Sequence, residues 1–240
     1  MKTNDERLQE LAHELRTPLS ALSTAAEVLA RFVAGDPAIA GISKIMSRQT
    51  EVMRVLVDQL LDVSRLDAER VQLRMCAIDL REVAREAVED RREELERAGL
   101  CCELIVPTRS VTVNGDPVKL GQIVGNLLSN SIKFTRAPGG IYVGVDVDGG
   151  RACLRVRDTG VGIPAELLPV IFDRYLQASR GSFGGLGLGL PIVKGLVELH
   201  GGEIGVWSDG PGKGCTVTVS LPVVNAHESR SEPQAAARAL

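Results

Sequence analysis

The apolar residues of the first 67 positions recur at spacings of three and four, and this pattern constrains the fold more than any other feature of the chain. One stripe runs from Leu8 to Leu29 and a second from Ile42 to Val63, with Gly35-Asp36-Pro37 between them. Each stripe predicts one face of an α-helix, with Asp36 as the N-cap and Pro37 in the first turn of the second helix. A hairpin of two helices cannot bury both stripes by itself. Residues 1–67 are therefore expected to form an antiparallel hairpin that pairs with a second copy, giving a homodimer built on a four-helix bundle.

After Leu66 the helical period gives way to short alternating segments, which predict an α+β fold with a separate α/β sandwich domain over residues 68–224. Helices are predicted over 79–98 and 117–135, and a loop rich in Gly and Ser over 176–189. The polar tail, residues 225–240, is expected to be flexible. Strands are predicted over 71–78, 101–106, 111–113, 141–147, 152–157, 203–208 and 215–221, with Asp148-Gly149-Gly150 as a hairpin turn.

The composition excludes several classes of function. A net charge of −3 and an aromatic content of 3% argue against nucleic-acid binding. No apolar run approaches the roughly 20 residues that span a bilayer, and the segment Met1 to Arg7 lacks the apolar region of a signal peptide, so we expect a cytoplasmic segment without membrane contact. The five cysteines are odd in number and lack metal-ligand spacing, so they are expected to be reduced and mostly buried.

One histidine lies on the predicted first helix, on the side that faces away from the apolar stripe. A neutral imidazole is a nucleophile near pH 7, because its unperturbed pKa is about 6.5. Next to His13, Glu14 can accept the ring N–H as a general base, and Thr17 follows one turn later. Pro18 is expected to kink the helix just beyond. Without these neighbours, a lone helical histidine such as His13 would be interpreted as a surface or capping residue.

A second set of polar residues falls on one face of the helix predicted over 117–135. Asn126 and Asn130 are four residues apart, and Lys133 continues the same face. Amide oxygens are hard ligands suited to Mg²⁺, and the lysine adds a positive charge within reach of phosphates. A solvated polar face is the alternative interpretation.

Two glycine-rich segments complete the candidate chemistry. Asp158-Thr159-Gly160-Val161-Gly162 follows a predicted strand, so its aspartate can accept a hydrogen bond from an exocyclic amine such as that of adenine, and its glycines admit a ring or a phosphate. The same segment is also a good turn. Gly184 to Leu190 leads into a helix near Pro191, as anion sites at helix N-termini do. Its spacing fits neither a dinucleotide fingerprint nor a P-loop.

Together these segments resemble the histidine kinase family over about residues 5 to 222. His13–Pro18 is similar to the H box of that family, Leu120–Thr135 to the N box, Asp158–Pro164 to the G1 box, Ile171–Tyr175 to the F box and Gly185–Leu190 to the G2 box.

The resemblance implies an ATP-binding domain of the histidine kinase, gyrase and chaperone type, with ATP and Mg²⁺ as cofactors. It implies transfer of the γ-phosphate to His13 with assistance from Glu14, and then to the receiver domain of a response regulator. Thr17 would support dephosphorylation of that regulator, and Asn130 would bind Mg²⁺. The other implied nucleotide contacts are Asn126, Lys133, Phe134, Asp158, Gly160, Gly162, Arg174, Gly185, Gly187 and Gly189. Leu186 departs from the family, which commonly has a Ser or Thr hydroxyl at that position.

Other interpretations stay open. A topoisomerase or chaperone ATPase of the same fold would activate water with a Glu on the N-box helix, where this chain has Asn126. A scaffold that binds nucleotide without catalysis is a second alternative, and a protein that acts mainly as a phosphatase is a third. His200, followed by two glycines, is expected to cap its helix as a cation rather than to perform chemistry.

Overall fold

The computed structural model describes residues 19–29, 37–67, 71–174, 176 and 187–224, and the structural statements below concern these residues. The chain forms two compact units. The first takes in Met1–Gln72 and Asp173–Ile192, and the second Leu73–Phe172 and Val193–Leu240. The predicted division at residues 67/68 and 224/225 stays a prediction.

The first unit contains two antiparallel helices. Helix α1 covers residues 19–29, and α2 runs from Pro37–Asp67 with the proline as its first residue, as predicted. Leu19 packs with Val57 and Leu61 in one buried cluster, whereas the Ser43 hydroxyl donates to the Ala26 carbonyl at 2.6 Å. As the residue numbers in contact increase along α1, those of their partners decrease along α2. The two helices are therefore antiparallel, which confirms the hairpin. The proposed cap Asp36 lies outside the described residues.

Among the described residues, several large apolar side chains of this hairpin are exposed. The exposed fraction reaches 62% at Ile45. Burying such side chains is worth about 1.5–3 kcal/mol each, so the surface calls for a covering partner. The large exposed apolar residues of the two helices are Leu22, Val28, Leu29, Ile42, Ile45, Val52, Met53 and Val55.

The second unit is built on a five-stranded sheet with the order β2-β4-β5-β7-β6. Strand β2 pairs with β4 in parallel, and the other pairs are antiparallel. Strands β1 and β3 form a separate antiparallel pair. Gly149 and Gly150 have φ values of 55° and 76°, which confirms the predicted tight turn between β4 and β5. The strands are β1 Cys76–Asp79, β2 Leu100–Ile105, β3 Thr112–Gly115, β4 Gly139–Asp148, β5 Arg151–Asp158, β6 Glu203–Trp207 and β7 Cys215–Pro222.

Helices cover one face of this sheet and enclose the core. They are α3 Leu80–Asp90, α4 Arg92–Ala98 and α5 Pro117–Phe134, with a 3-10 turn at Leu168–Val170. Helix α6, Gly189–Leu199, has its first four residues in the first unit and the others in the second. The helical residues Ile123, Leu127 and Leu128 are almost fully buried, as are Ile141 and Leu154 of the strands. Tyr142 and Trp207 stand on the opposite, exposed face. Helices packed on one side of a mixed sheet confirm the α+β class.

Three local predictions were wrong. The strand expected over 71–78 is only Cys76–Asp79, because the Arg74 N–H is bonded to the Asp116 carboxylate rather than to a neighbouring strand. The helix expected over 79–98 is broken at Arg91, whose φ of −102° and ψ of 4° are not helical. The cysteines are unpaired but not mostly buried: Cys76 and Cys101 are exposed.

None of the helices in the described ranges is long and apolar enough to cross a membrane.

Two loops of the second unit interlock at the end of β5. The Gly214 N–H donates to the Gly160 carbonyl at 3.2 Å, and the Gly212 N–H donates to the Val161 carbonyl at 2.6 Å. Both donors have left-handed backbones, with φ values of 74° at Gly212 and 72° at Gly214. A Cβ at Gly214 would overlap the Asp158 carbonyl oxygen, whereas a Cβ at Gly212 would meet nothing within 4 Å.

The two glycines form a matched pair for a stability measurement. We expect Gly212→Ala to lower the free energy of unfolding by about 1–2 kcal/mol, the penalty of a left-handed alanine. Gly214→Ala should lower it by at least about twice as much, because the backbone must also move away from Asp158. Urea unfolding of both variants measures the difference. Equal losses would contradict the close packing of Gly214 against Asp158.

Candidate functional site

A buried carboxylate at the end of β5 joins three parts of the second unit. Asp158 is 8% exposed, and its Oδ1 accepts from the Gly160 N–H at 2.9 Å and from the Cys215 N–H at 3.2 Å. Its Oδ2 accepts from the Ser131 hydroxyl at 3.4 Å. Because that last contact is long, Oδ2 keeps the capacity to accept a stronger hydrogen bond from a ligand.

The surroundings of this carboxylate change two pKa values. Burial raises the pKa of Asp158, although hydrogen bonds from Gly160, Cys215 and Ser131 oppose the change. Burial also raises the pKa of the Cys215 thiol to about 12, with a contribution from the charge on Asp158. The thiol is therefore protonated at neutral pH and a poor nucleophile.

Sequence reasoning missed both Ser131 and Cys215 as neighbours of Asp158. The signal for Ser131 was its place next to Asn130 on a helix already singled out. The signal for Cys215 was the pairing of β5 with β7, which sets Cys215 opposite Asp158. That pairing joins residues far apart in the chain, so the pattern of either strand alone does not reveal it.

Helix α5 carries the predicted polar face. It begins at Pro117 after the N-cap Asp116, whose Oδ1 accepts from the N–H groups of Val118 and Lys119. Apolar residues such as Val124 and Leu128 hold the helix in the core. Asn126, Asn130 and Lys133 are all half-buried, and the helix places them on one face. Their contact with a nucleotide stays a prediction.

One donor on this face, the Asn126 Nδ2, is buried without a hydrogen bond to any residue in the described ranges. A buried amide left unpaired costs about 1–3 kcal/mol, so a ligand oxygen would stabilise it. Lys133 is on the same face, and burial lowers its pKa. Its Nζ lies 4.8 Å from the centre of the Phe134 ring. The face is thus suited to an oxygen-rich anion.

In the segment after β5, glycine is needed at two positions because the backbone packs closely against other parts of the protein. A Cβ at Gly160 would overlap the Phe134 carbonyl oxygen. Gly162 has a φ of 68°, and a Cβ there would overlap the Gly210 carbonyl oxygen. The sequence predicted that these glycines let the backbone approach a ligand. In the structure they let the backbone approach other segments of the protein. Contact of Gly160 and Gly162 with nucleotide stays a prediction.

The start of α6 is the other glycine-rich element. Gly187 has a φ of 70°, a left-handed conformation that suits glycine, and Gly189 is the first residue of the helix. The fully buried Leu188 accepts from the Ile192 N–H through its carbonyl at 3.0 Å and so closes the first turn. The first N–H groups of a helix lack partners within it and suit an anion.

Several predicted site residues are not brought together by the described structure. His13, Glu14, Thr17 and Gly185 lie outside the described residues. Arg174 is exposed and belongs to the first unit. The roles predicted for these five residues stay predictions.

The polar face of α5 can be tested for its fit to Mg²⁺. Over the described ranges, no three His, Cys, Asp or Glu side chains are grouped so that they could hold a metal. Asn130 supplies one hard amide oxygen, and Mg²⁺ in phosphate sites takes few protein ligands and completes its shell with phosphate and water oxygens. The residues therefore fit Mg²⁺ when it is shared with a phosphate.

Comparison with known families matches both units. Residues 3–69 match the His Kinase A (phospho-acceptor) domain. Residues 115–225 match the family described as histidine kinase-, DNA gyrase B-, and HSP90-like ATPase. The ATPase match begins at Gly115, next to the cap of α5, and contains Asp158.

Individual relatives give the same picture. The sensor protein kinase PmrB of Pseudomonas aeruginosa is 38% identical over 216 residues, which cover 89% of this chain and 44% of the relative. Full-length ShkA, solved in complex with AMPPNP, has a TM-score of 0.78 at 28% identity, covering 93% of this chain and 47% of that one. The mycobacterial sensor histidine kinase MprB is 32% identical with a TM-score of 0.55, covering 62% of this chain and 97% of that one. The chain thus spans less than half the length of PmrB and of ShkA.

The raised pKa of Asp158 allows a test that separates binding from stability. Ionised Asp158 is disfavoured by burial, so its charge lowers the stability of the folded state above the unfolded pKa of about 3.9. Asp158→Asn removes that charge and retains an oxygen for Gly160 and Cys215. We expect it to equal or exceed the wild type in Tm at pH 7, with the advantage disappearing towards pH 4. Its affinity for ATP should nevertheless fall by at least about tenfold.

The matched control for this variant is Asp209→Asn, which removes an exposed carboxylate from the same unit. It should change neither Tm nor ATP affinity. Thermal unfolding between pH 4 and 8, together with calorimetric titration of ATP, gives both quantities. An Asp158→Asn protein that binds ATP as the wild type does would contradict the assignment of Asp158.

Proposed function

Because the chain belongs to the histidine kinase family, we propose that it transfers the γ-phosphoryl group of ATP to His13 and then to an aspartate of a response-regulator receiver domain. The observation that carries this proposal is the buried Asp158, whose Oδ2 can still accept from a base. ATP is the phosphoryl donor, so the reaction belongs in the cytoplasm.

Nucleotide binding is the first step. The exocyclic amine of adenine donates to Asp158 Oδ2, beside the Ser131 hydroxyl. The phosphates meet the Asn126 Nδ2, which lacks a protein acceptor in the described ranges, and the positive charge of Lys133. The N–H groups at the start of α6 supply further donors. Phe134, whose ring lies beside the Lys133 ammonium, flanks the base.

Phosphoryl transfer depends mainly on position and on charge neutralisation. A ring nitrogen of His13 attacks the γ-phosphorus, the bond from that phosphorus to the bridging oxygen breaks, and ADP leaves. Glu14 takes the proton from the other ring nitrogen. Mg²⁺ on Asn130, when bound, neutralises charge on the phosphate oxygens. Arg174 reaches the phosphates. Gly185, Gly187 and Gly189 belong to the segment 176–189, which we propose closes over the nucleotide and excludes water.

The partner of the hairpin is a second copy of the chain. Leu22, Leu29, Ile42, Ile45 and Met53 of the predicted stripes are exposed on α1 and α2, and pairing two hairpins buries them. The receiver domain docks on the outward side of the first helix, next to His13. Thr17 lies one turn further on, where it would support removal of phosphate from the regulator.

A labelling experiment tests the proposal. Incubation with γ-labelled ATP and Mg²⁺ should give a protein-bound label that is labile in acid and stable in alkali, as phosphohistidine is. His13→Gln should reduce the label at least about 100-fold, because the nucleophile is lost. His227→Gln, the same change at a histidine to which no role is assigned, should leave it unchanged.

The outcomes separate the competing hypotheses. ATP binding without label would favour a scaffold that binds nucleotide but does not catalyse. Release of inorganic phosphate without label would favour an ATPase of the topoisomerase or chaperone kind. Label that persists in His13→Gln would contradict the assignment of the nucleophile.

A further inference from the structure

We propose that Asp116 and His200 form a positioning junction that sets the affinity for ATP by holding the N-terminal end of α5 to the C-terminal end of α6. This inference rests on the ATP binding proposed above and adds two residues that do not touch the nucleotide. Neither residue contributes to the chemistry assigned to His13, Asn130 or Asp158.

His200 uses both of its ring nitrogens inside the protein. The side chain is 5% exposed, and its Nδ1 lies 2.7 Å from the Leu196 carbonyl oxygen. Its Nε2 lies 3.0 Å from the backbone nitrogen of Asp116. A carbonyl can only accept and a backbone N–H can only donate, so Nδ1 carries the proton and Nε2 accepts. The expected cap on α6 is therefore present, but as a neutral imidazole rather than the cation predicted from the sequence.

The Asp116 side chain joins the start of α5 to the segment before β1, from a site that is nearly as buried, at 6% exposed. Its Oδ1 caps α5 through Val118 and Lys119, and its Oδ2 accepts from the Arg74 N–H at 2.8 Å. Burial alone would raise the pKa of Asp116, but these backbone N–H groups outweigh it and hold the pKa below its usual value. The carboxylate is thus ionised at neutral pH and remains an acceptor for all three donors.

The neighbouring glycine shows how tightly this junction is packed. A Cβ at Gly115 would lie 2.6 Å from Leu120 Cδ1 and 3.2 Å from His200 Cδ2. The imidazole therefore lies against the backbone that leads into α5, with no space for a side chain between them. A ring held on both nitrogens and on one edge has little freedom to rotate.

The position of the junction explains how it acts at a distance. Helix α5 has 18 residues, and a helix of that length is about 27 Å long and moves as one piece. Its N-terminal turn is fixed at Asp116, so the junction determines where Asn126 and Asn130 stand further along the same helix. Helix α6 ends at the junction. A loosened junction would let α5 shift and would weaken the contacts of Asn126 and Asn130 with phosphate.

Two substitutions of His200 separate the bond to Asp116 from the bond within α6. The amide of His200→Gln reaches the place of Nε2 and can accept from the Asp116 N–H. The shorter amide of His200→Asn reaches only the place of Nδ1 and can keep the bond to Leu196. We therefore expect His200→Asn to raise the KM for ATP about tenfold. The rate constant of His13 labelling at saturating ATP (kcat) should change little. His200→Gln should restore the KM to within about threefold of the wild type.

A stability control distinguishes positioning from general loosening. Val197→Ala truncates a fully buried side chain of α6 and leaves the hydrogen bonds of Asp116 and His200 in place. Measured well below every Tm, Val197→Ala should lower Tm at least as much as His200→Asn and leave the KM for ATP unchanged. A KM raised in proportion to the loss of Tm in all three variants would overturn the junction, and so would an unchanged KM in His200→Asn.

The wild type distinguishes this inference from the function on which it rests. Calorimetric titration of ADP and His13 labelling are measured on the full chain in parallel. Binding and labelling by the wild type, with no effect of His200→Asn, refute the junction alone. A wild type that neither binds ADP nor becomes labelled refutes the proposed function and the junction with it.

Discussion

The hydrogen bonds that the buried Asp158 side chain accepts from backbone N–H groups are the interaction on which the organisation of the second unit depends. One side chain takes hydrogen bonds from the loop that follows β5, from strand β7 and from helix α5. A carboxylate in such a place is disfavoured by its burial, which is why its pKa is raised. A buried ionisable group that lowers the stability of the folded state is typical of functional sites rather than of packing.

The helix beside it is fixed at both ends. Its N-terminal turn is capped by Asp116, which is joined in turn to His200. At its C-terminal end the Phe134 carbonyl accepts from the Val161 N–H at 3.1 Å, and Gly160 allows the two segments to lie in contact. The face that carries Asn126 and Asn130 is therefore held relative to Asp158 by backbone contacts. The polar face of α5 is thus held in place with few side-chain hydrogen bonds of its own.

The sequence predicted those features that depend on local periodicity. The spacing of three and four predicted the hairpin and the shared face of Asn126 and Asn130, and Asp148-Gly149-Gly150 predicted its turn because left-handed residues are needed there. Features that depend on distant partners were not predictable in this way. The apolar segment at 71–78 looked like a strand, yet Arg74 bonds to a carboxylate 42 residues away. The parallel pairing of β2 with β4 and the placement of Cys215 opposite Asp158 likewise arise only once the chain has folded.

The most direct test of the account is hydrogen–deuterium exchange of the full chain with and without a non-hydrolysable ATP analogue and Mg²⁺. We predict slower exchange in the nucleotide complex at Gly160 and Val161, along α5 from Asn126 to Phe134, and in the first turn of α6, with no change at the exposed strand β6. Protection confined to other segments, or its absence around Asp158 despite demonstrated binding, would contradict the claim that this carboxylate and the polar face of α5 form the nucleotide site.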